Sequence, residues 1–268
     1  GSGANATGTL ESLAVGHTAQ ATNSYSTSMG TRSVASGAGS TAIGRLTDAT
    51  GENSLAAGTF AQAIGLQSVA LSKSYASGTD SFAAAIANNA SSYGATGANS
   101  IAMGSLSKAG GADSVAIGDS NLANAAGAVA IGASNTASGS SSVVFGTSHT
   151  ASGYGSACIG GSTSTASNTY SMTFGPYAKA SVDNAFIFGS KGFFSAGSVQ
   201  SGKYILYSDT TNATAEALTT TNAAAGNANQ VILPNNSAYS FSGTIIARQQ
   251  TADGSNYASW EVKGALLR

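Results

Sequence analysis

The pentapeptide SVAIG at residues 114–118 returns fourteen residues later as AVAIG (128–132) and stands fourteen residues earlier as SIAMG (100–104). The pattern S-x-A-x-G runs from SLAVG (12–16) to AFIFG (185–189), and it keeps this same step almost throughout. A second motif, ASG or ATG, occupies the other half of the period, as at 137–139 and 151–153. A short, fixed period of this kind indicates a solenoid whose repeats pack on their neighbours.

Alternation within the pentapeptide assigns its residues to two sides of a strand. Val115 and Ile117 point to one side, and the small residues between them point to the other. The period therefore predicts thin coils of two short β segments that stack in parallel about 4.8 Å apart, and roughly thirteen coils would extend for about 60 Å. Glycines recur at the end of each pentapeptide, where we expect a turn with positive φ or a close backbone approach.

The bulky side of the repeat needs a cover that a thin coil cannot supply itself. A long Val/Ile/Met stripe on a monomer would be an aggregation surface. We therefore predict a parallel oligomer. The candidates for the core of the roll or of this oligomer are Val115, Ile117, Val129, Ile131, Val143, Phe145 and Ile159.

Composition excludes several classes of function. Charged residues make up 8% of the 268 residues, the net charge is −1, and no basic patch stands out along the sequence, so we expect no nucleic-acid partner. No apolar run approaches the length of about 18 residues that a membrane span requires, so we expect no membrane insertion. The single cysteine, Cys158, excludes a disulfide framework within the chain. Residues 1–10, which begin GSGA, are interpreted as a linker or a cloning scar.

The repeat resembles the head repeat of the YadA-like trimeric autotransporter adhesins over about residues 11–190. This resemblance implies a left-handed parallel β-roll, trimerised along its axis, and the same roll also occurs in bacteriophage tail fibres. No heptads follow Gly189, as they would in an adhesin stalk. Instead, residues 203–208, 230–234, 239–248 and 257–268 are predicted strands, and the tract from LPNNS (233–237) to the end resembles a module of phage tail fibres and other virion proteins.

The fold prediction is therefore an all-β chain, with a homotrimeric parallel β-roll over 11–190 and a β-rich domain over 191–268. The predicted function is a non-enzymatic segment of a bacteriophage tail fibre that mediates host attachment. The expected partners are two further copies, a host cell-surface receptor that could be a glycan, and other virion fibre segments. The alternative is the head of a bacterial trimeric autotransporter adhesin, located on the outer cell surface instead of the virion.

One interruption of the period is a candidate binding feature. The step from Ser68 to Ser81 is one residue shorter than the period, and the step from Ser81 to Ser100 is five residues longer. The excess falls within 86–94, where Asn88, Asn89 and Tyr93 are candidates for receptor contact, with a tolerated surface bulge as the alternative. Aromatic residues crowd into 151–207, which indicates packing at the end of the roll, with carbohydrate stacking as the alternative.

Residues capable of catalysis or metal binding are scattered. His17 and His149 have no acidic residue or cysteine nearby in sequence. Asp113 and Asp119 flank one repeat strand, whereas a polysaccharide-cleaving spike needs two carboxylates beside one sugar bond. Cys158 occupies the small middle place of SACIG and is expected to be buried and unreactive. The sequence thus predicts no catalytic, cofactor or metal site.

Overall fold

A computed structural model describes residues 1–84, 92–190, 199–209, 216–231, 238–248 and 257–267. Within these ranges the regular structure is entirely β, and no helix occurs. The described residues fall into two compact units, Gly1–Asn229 and Gln230–Arg268. The predicted all-β class is confirmed.

Two parallel sheets build the first unit, and each coil contributes one strand to each sheet. The strands of the narrow sheet are β1 (Asn5–Ala6), β3 (Gln20–Ala21), β5 (Val34–Ala35), β7 (Asp48–Ala49), β9 (Gln62–Ala63), β11 (Tyr75–Ala76), β13 (Gly94–Ala95), β15 (Lys108–Ala109), β17 (Leu122–Ala123), β19 (Thr136–Ala137), β21 (Thr150–Ala151), β23 (Thr165–Ala166) and β25 (Lys179–Ala180).

The wide sheet takes the alternate strands. They are β2 (Leu13–Val15), β4 (Thr27–Met29), β6 (Thr41–Ile43), β8 (Leu55–Ala57), β10 (Val69–Leu71), β12 (Phe82–Ala84), β14 (Ile101–Met103), β16 (Val115–Asp119), β18 (Val129–Ala133), β20 (Val143–Thr147), β22 (Ala157–Ser162), β24 (Met172–Phe174) and β26 (Phe186–Gly189). The predicted parallel solenoid, with about thirteen coils at the spacing of the sequence repeat, is confirmed.

Register follows the sequence period. Val115 pairs with Val129, fourteen residues on. Where the period is interrupted, Val69 still pairs with Phe82 and Phe82 with Ile101, so the register is kept and the extra residues of the sequence fall between β12 and β13. The step from Ser156 to Ser171 is one residue longer than the period. A β-bulge absorbs the extra residue, because the register of β20 with β22 shifts by one residue between Phe145 and Thr147.

Alanine fills the interior of the solenoid. The second residue of each wide strand and the second residue of each narrow strand point into the coil, where most of them are alanine; Ala116 and Ala123 are fully buried examples. Two sheets this close leave room for little more than a methyl group between them. The first serine of the repeat has its own role, because the buried Ser114 hydroxyl donates to the Gly111 carbonyl at 2.6 Å and so joins the two sequence motifs.

Three positions in a regular coil have positive φ. Gly118 has a φ of 119°, and a side chain there would overlap the Gly132 carbonyl of the next coil, which confirms the expected close approach. The other two positions are corners that often hold a residue other than glycine, such as Asp113 (φ 57°) and Ser120 (φ 55°). The expectation that the glycine ends the strand is wrong for β16, β18 and β20, which continue one residue beyond it.

The parallel stack ends at β26. An antiparallel strand, β27 (Gln200–Lys203), pairs with it, so the hydrogen-bonding edge of the last coil is covered. The strand predicted over 203–208 is wrong beyond Lys203, because the chain there makes only an isolated bridge between Tyr207 and Thr219.

The second unit contains the antiparallel pair β28 (Ala238–Arg248) and β29 (Tyr257–Leu267), in which Ile245 pairs with Trp260. The strands predicted over 239–248 and 257–268 are thereby confirmed, apart from the final residue, which lies outside the described ranges. Gln230 and Val231 are not in a strand, and the rest of the strand predicted over 230–234 also lies outside them. The domain boundaries predicted at 10/11 and 190/191 stay predictions.

Candidate interaction surface

The outer face of the wide sheet is a continuous apolar surface. The first and third residues of its three-residue strands point away from the alanine interior. The most exposed of these apolar side chains range from 37% for Ile101 to 50% for Leu13 in the single chain. The seven predicted core candidates lie on the wide sheet, and their exposure is partial at Val115, Ile117, Val129, Ile131, Val143 and Ile159 and 40% at Phe145.

The outer face of the narrow sheet has a different character. Its outward positions are mostly polar, as at Gln20, Gln62, Thr136, Thr150 and Thr165. Because only the wide sheet presents large apolar side chains in every coil from β10 to β26, it is the face that gains most from being covered.

Aromatic rings extend the apolar face at the end of the stack. Phe174 lies 4.8 Å from Phe186 and 5.6 Å from Phe188, measured between ring centroids. These rings pack on one another as the interpretation of packing at the roll end requires. Tyr154 and Tyr170 form a separate edge-to-face pair at 5.4 Å, and both are more than half exposed. This second pair is the feature to which the carbohydrate-stacking alternative applies.

The predicted receptor-contact loop lies between β12 and β13. Asn88 and Asn89 fall outside the described residues. Tyr93 is partly buried and directly precedes Gly94, the first residue of β13. The flanking strands keep their register across this segment.

A buried polar ladder runs between the sheets and was not predicted. Asn121 and Asn135 occupy equivalent corners of successive coils, and each is almost completely buried. The Asn135 carboxamide donates to the carbonyls of Ile131 (3.0 Å) and Gly146 (2.7 Å) and accepts from the backbone of His149 (3.0 Å). Asn121, Asn135 and His149 recur at the spacing of the repeat, which could have revealed this ladder.

His149 takes the third place in the ladder. Its Nδ1 accepts from the backbone N–H of Ser164 at 2.9 Å, which is the acceptor role that the asparagine oxygen plays one coil earlier. Its Nε2 is buried without a hydrogen bond of good geometry. Burial is the largest influence and lowers the pKa of His149, against backbone groups including Gly161 that act in the opposite direction. The residue is therefore held neutral as part of the fold.

The scattered reactive residues are not brought together. No cluster of metal-ligating side chains occurs among the described residues. Asp119 is the last residue of β16, and Asp113 lies at a corner two residues before that strand begins. The strand alone extends for about 13 Å, which is beyond the separation used in glycoside hydrolysis. Cys158 is buried, and burial raises the pKa of its thiol.

Among the described residues, no helix has the length and apolar character needed to cross a membrane.

The first unit of the chain is thus a parallel β-solenoid with two sheets, an interior of alanine and an apolar outer face on the wide sheet. Part of this solenoid matches a known family: the model of the YadA head domain repeat matches residues 10–33, 21–47, 49–71, 95–121 and 123–148. The resemblance to the YadA head repeat that the sequence predicted is thereby confirmed over these residues. No curated protein matches the chain.

Proposed function

We propose that this chain is a homotrimeric, non-enzymatic attachment segment of a bacteriophage tail fibre. The observation that supports the proposal most strongly is the apolar outer face of the wide sheet in a solenoid of YadA head repeats. Heads of this family are trimeric adhesin segments. The sequence after the solenoid, which resembles a tail-fibre module, favours the virion over the cell surface.

Trimer formation explains the apolar face. A surface of partly exposed Val, Ile, Met and Phe side chains along the wide sheet is too extensive for a stable monomer. Three copies around an axis parallel to the stack would bury this face and leave the polar narrow sheets outward. In this arrangement the trimer core contains Val115, Ile117, Val129, Ile131, Val143, Phe145 and Ile159.

Attachment follows from the three-fold presentation. A rigid trimer offers each contact loop three times, so that weak contacts with a repeated cell-surface receptor, such as a glycan, reinforce one another. We assign the contact to Asn88, Asn89 and Tyr93, because the sequence period is interrupted there while the flanking strands keep their register. The exposed pair Tyr154 and Tyr170 is the rival contact surface.

Competition for adsorption tests the attachment role. The purified chain should reduce the adsorption of the phage that carries the fibre to its host. Alanine at Asn88, Asn89 and Tyr93 should remove this effect while the trimer mass is retained. The matched control replaces Tyr154 and Tyr170 by alanine and should still compete. Loss of competition in the control alone would move the contact to the tyrosine pair, and no competition by the unmodified chain would contradict the proposal.

The second candidate is a bacterial adhesin head, which the match to YadA repeats itself favours. Immunogold labelling with antibodies against the solenoid separates the two locations. Gold on phage tails supports the fibre, and gold on the outer surface of uninfected bacteria supports the adhesin. Incubation with host polysaccharide should release no new reducing ends, whereas their appearance would overturn the non-enzymatic assignment.

A further inference from the structure

Positive charge in the first coils is confined to one side of the solenoid. We call the segment between the end of a wide strand and the start of the next narrow strand the downstream corner. Arg32, Arg45 and Lys73 are the only lysines and arginines before residue 108, and all three lie at downstream corners, where they are exposed.

Negative charge gathers on the other side of the same coils. We call the segment between the end of a narrow strand and the start of the next wide strand the upstream corner. Residues 1–84 contain four carboxylates, and three of them, Glu11, Glu52 and Asp80, are exposed at upstream corners. The fourth, Asp48, lies in narrow strand β7, half-buried, with Gln62 at 3.5 Å. The two corners flank the apolar wide sheet and have opposite charge.

Opposite charges also stand at the same height along the stack. Arg45 and Glu52 are seven residues apart, which is half a coil, and so are Lys73 and Asp80. A coil rises by about 4.8 Å, so the members of each pair differ in height by only about 2.4 Å. The thickness of the coil separates them, because one lies before the narrow strand and the other lies after it.

Contacts within the chain leave the first pair open to a partner. The Arg45 guanidinium lies over the ring of Phe60, with 5.0 Å from Cζ to the ring centroid, and this cation–π contact holds it at the corner. Neither Arg45 nor Glu52 forms an ion pair with another described residue.

We infer that the downstream corner of one copy lies against the upstream corner of the next copy around the trimer, with Arg45 facing Glu52 of the partner subunit. This inference rests on the proposed trimer. In a ring of three, each contact joins two different surfaces of the chain, so burying the wide sheets brings unlike corners together. Lys73 and Asp80 form the second contact of the same kind. A slip of one coil would separate both pairs by about 4.8 Å, so the charges fix the axial register.

Disulfide trapping tests the contact directly. The double variant Arg45→Cys/Glu52→Cys, in the full chain, should form covalent dimers and trimers on oxidation, seen on a denaturing gel. Each single variant is the matched control and should give no covalent trimer, because like corners do not meet. The buried Cys158 is common to all three proteins.

Charge exchange supplies an independent readout. Arg45→Glu should raise the protein concentration at which the trimer half-dissociates by about tenfold, and the exchange Arg45→Glu/Glu52→Arg should recover most of that loss. A trimer mass without covalent species from the double cysteine variant would overturn this inference and leave the proposed function standing. Failure of the exchange to recover the trimer would count against it equally. A monomeric mass for the unmodified chain would overturn both.

Discussion

Asn135 offers the sharpest test of how the coils hold together. Its carboxamide is fully buried and makes three hydrogen bonds that link the coil of β18 to the next coil. Replacement by alanine deletes all three. It also leaves the backbone N–H of His149 without its acceptor in the interior.

The loss of local stability in Asn135→Ala can be calculated from these three hydrogen bonds. Buried hydrogen bonds contribute about 1 kcal/mol each, so three amount to about 3 kcal/mol of local stability. A difference of about 3 kcal/mol corresponds to about a hundredfold change in an opening equilibrium. Hydrogen exchange is the appropriate assay, because a repeat stack need not unfold in one step.

The amide of His149 should therefore exchange about a hundredfold faster in Asn135→Ala than in the parent protein. The control is Asn124→Ala, an exposed asparagine in the preceding coil, which should change protection by less than about threefold. A change below threefold in Asn135→Ala itself would refute the view that this ladder ties successive coils together.

Three further predictions concern single residues. His149 has a folded-state pKa below its usual 6.5, so its stabilising effect is complete above pH 6.5. This effect is lost as the pH falls, because the unfolded chain then binds a proton that the folded chain does not. Melting curves from pH 7.5 to 4.5 should show the loss of stability, and His149→Asn should reduce that loss. Gly118→Ala should lower stability by at least about 2 kcal/mol in denaturant titration, because its side chain would overlap the Gly132 carbonyl, whereas Gly243→Ala, with open space around it, should cost less than about 0.5 kcal/mol. Cys158 should react with a thiol reagent only when denaturant opens the coils, and rapid labelling of the native protein would contradict its buried position.

The coil itself could be predicted from sequence because two periods reinforce each other. The constant step between pentapeptides fixes which residues stack, and alternation within the strand then assigns Ala116 to the interior and Ile117 to the outer face. The backbone conformation of the corners was harder to predict from the sequence. Phe60 and Tyr177 adopt positive φ, which bulky side chains rarely do, because the ladder between coils imposes it, as in the bond from the Phe60 N–H to the Arg45 carbonyl at 3.0 Å.

The candidate interaction surface also has a part that could be predicted from the sequence and a part that could not. The apolar face could be predicted because it repeats in every coil. The charged corners were not predicted from the sequence, which contains few charges. Arg45 and Glu52 are seven residues apart, and only the structure of the coil shows that they lie on opposite sides of it. The segment around Asn88 could be located by its broken period, but a single interruption provides no periodicity from which to derive a conformation or a ligand.

The central claim is that the outer face of the wide sheet is covered by two further copies of the chain. Light scattering coupled to size-exclusion chromatography, at micromolar concentration, measures this most directly. The account predicts a particle of three chains of 26.0 kDa each. A particle with the mass of one chain would contradict it.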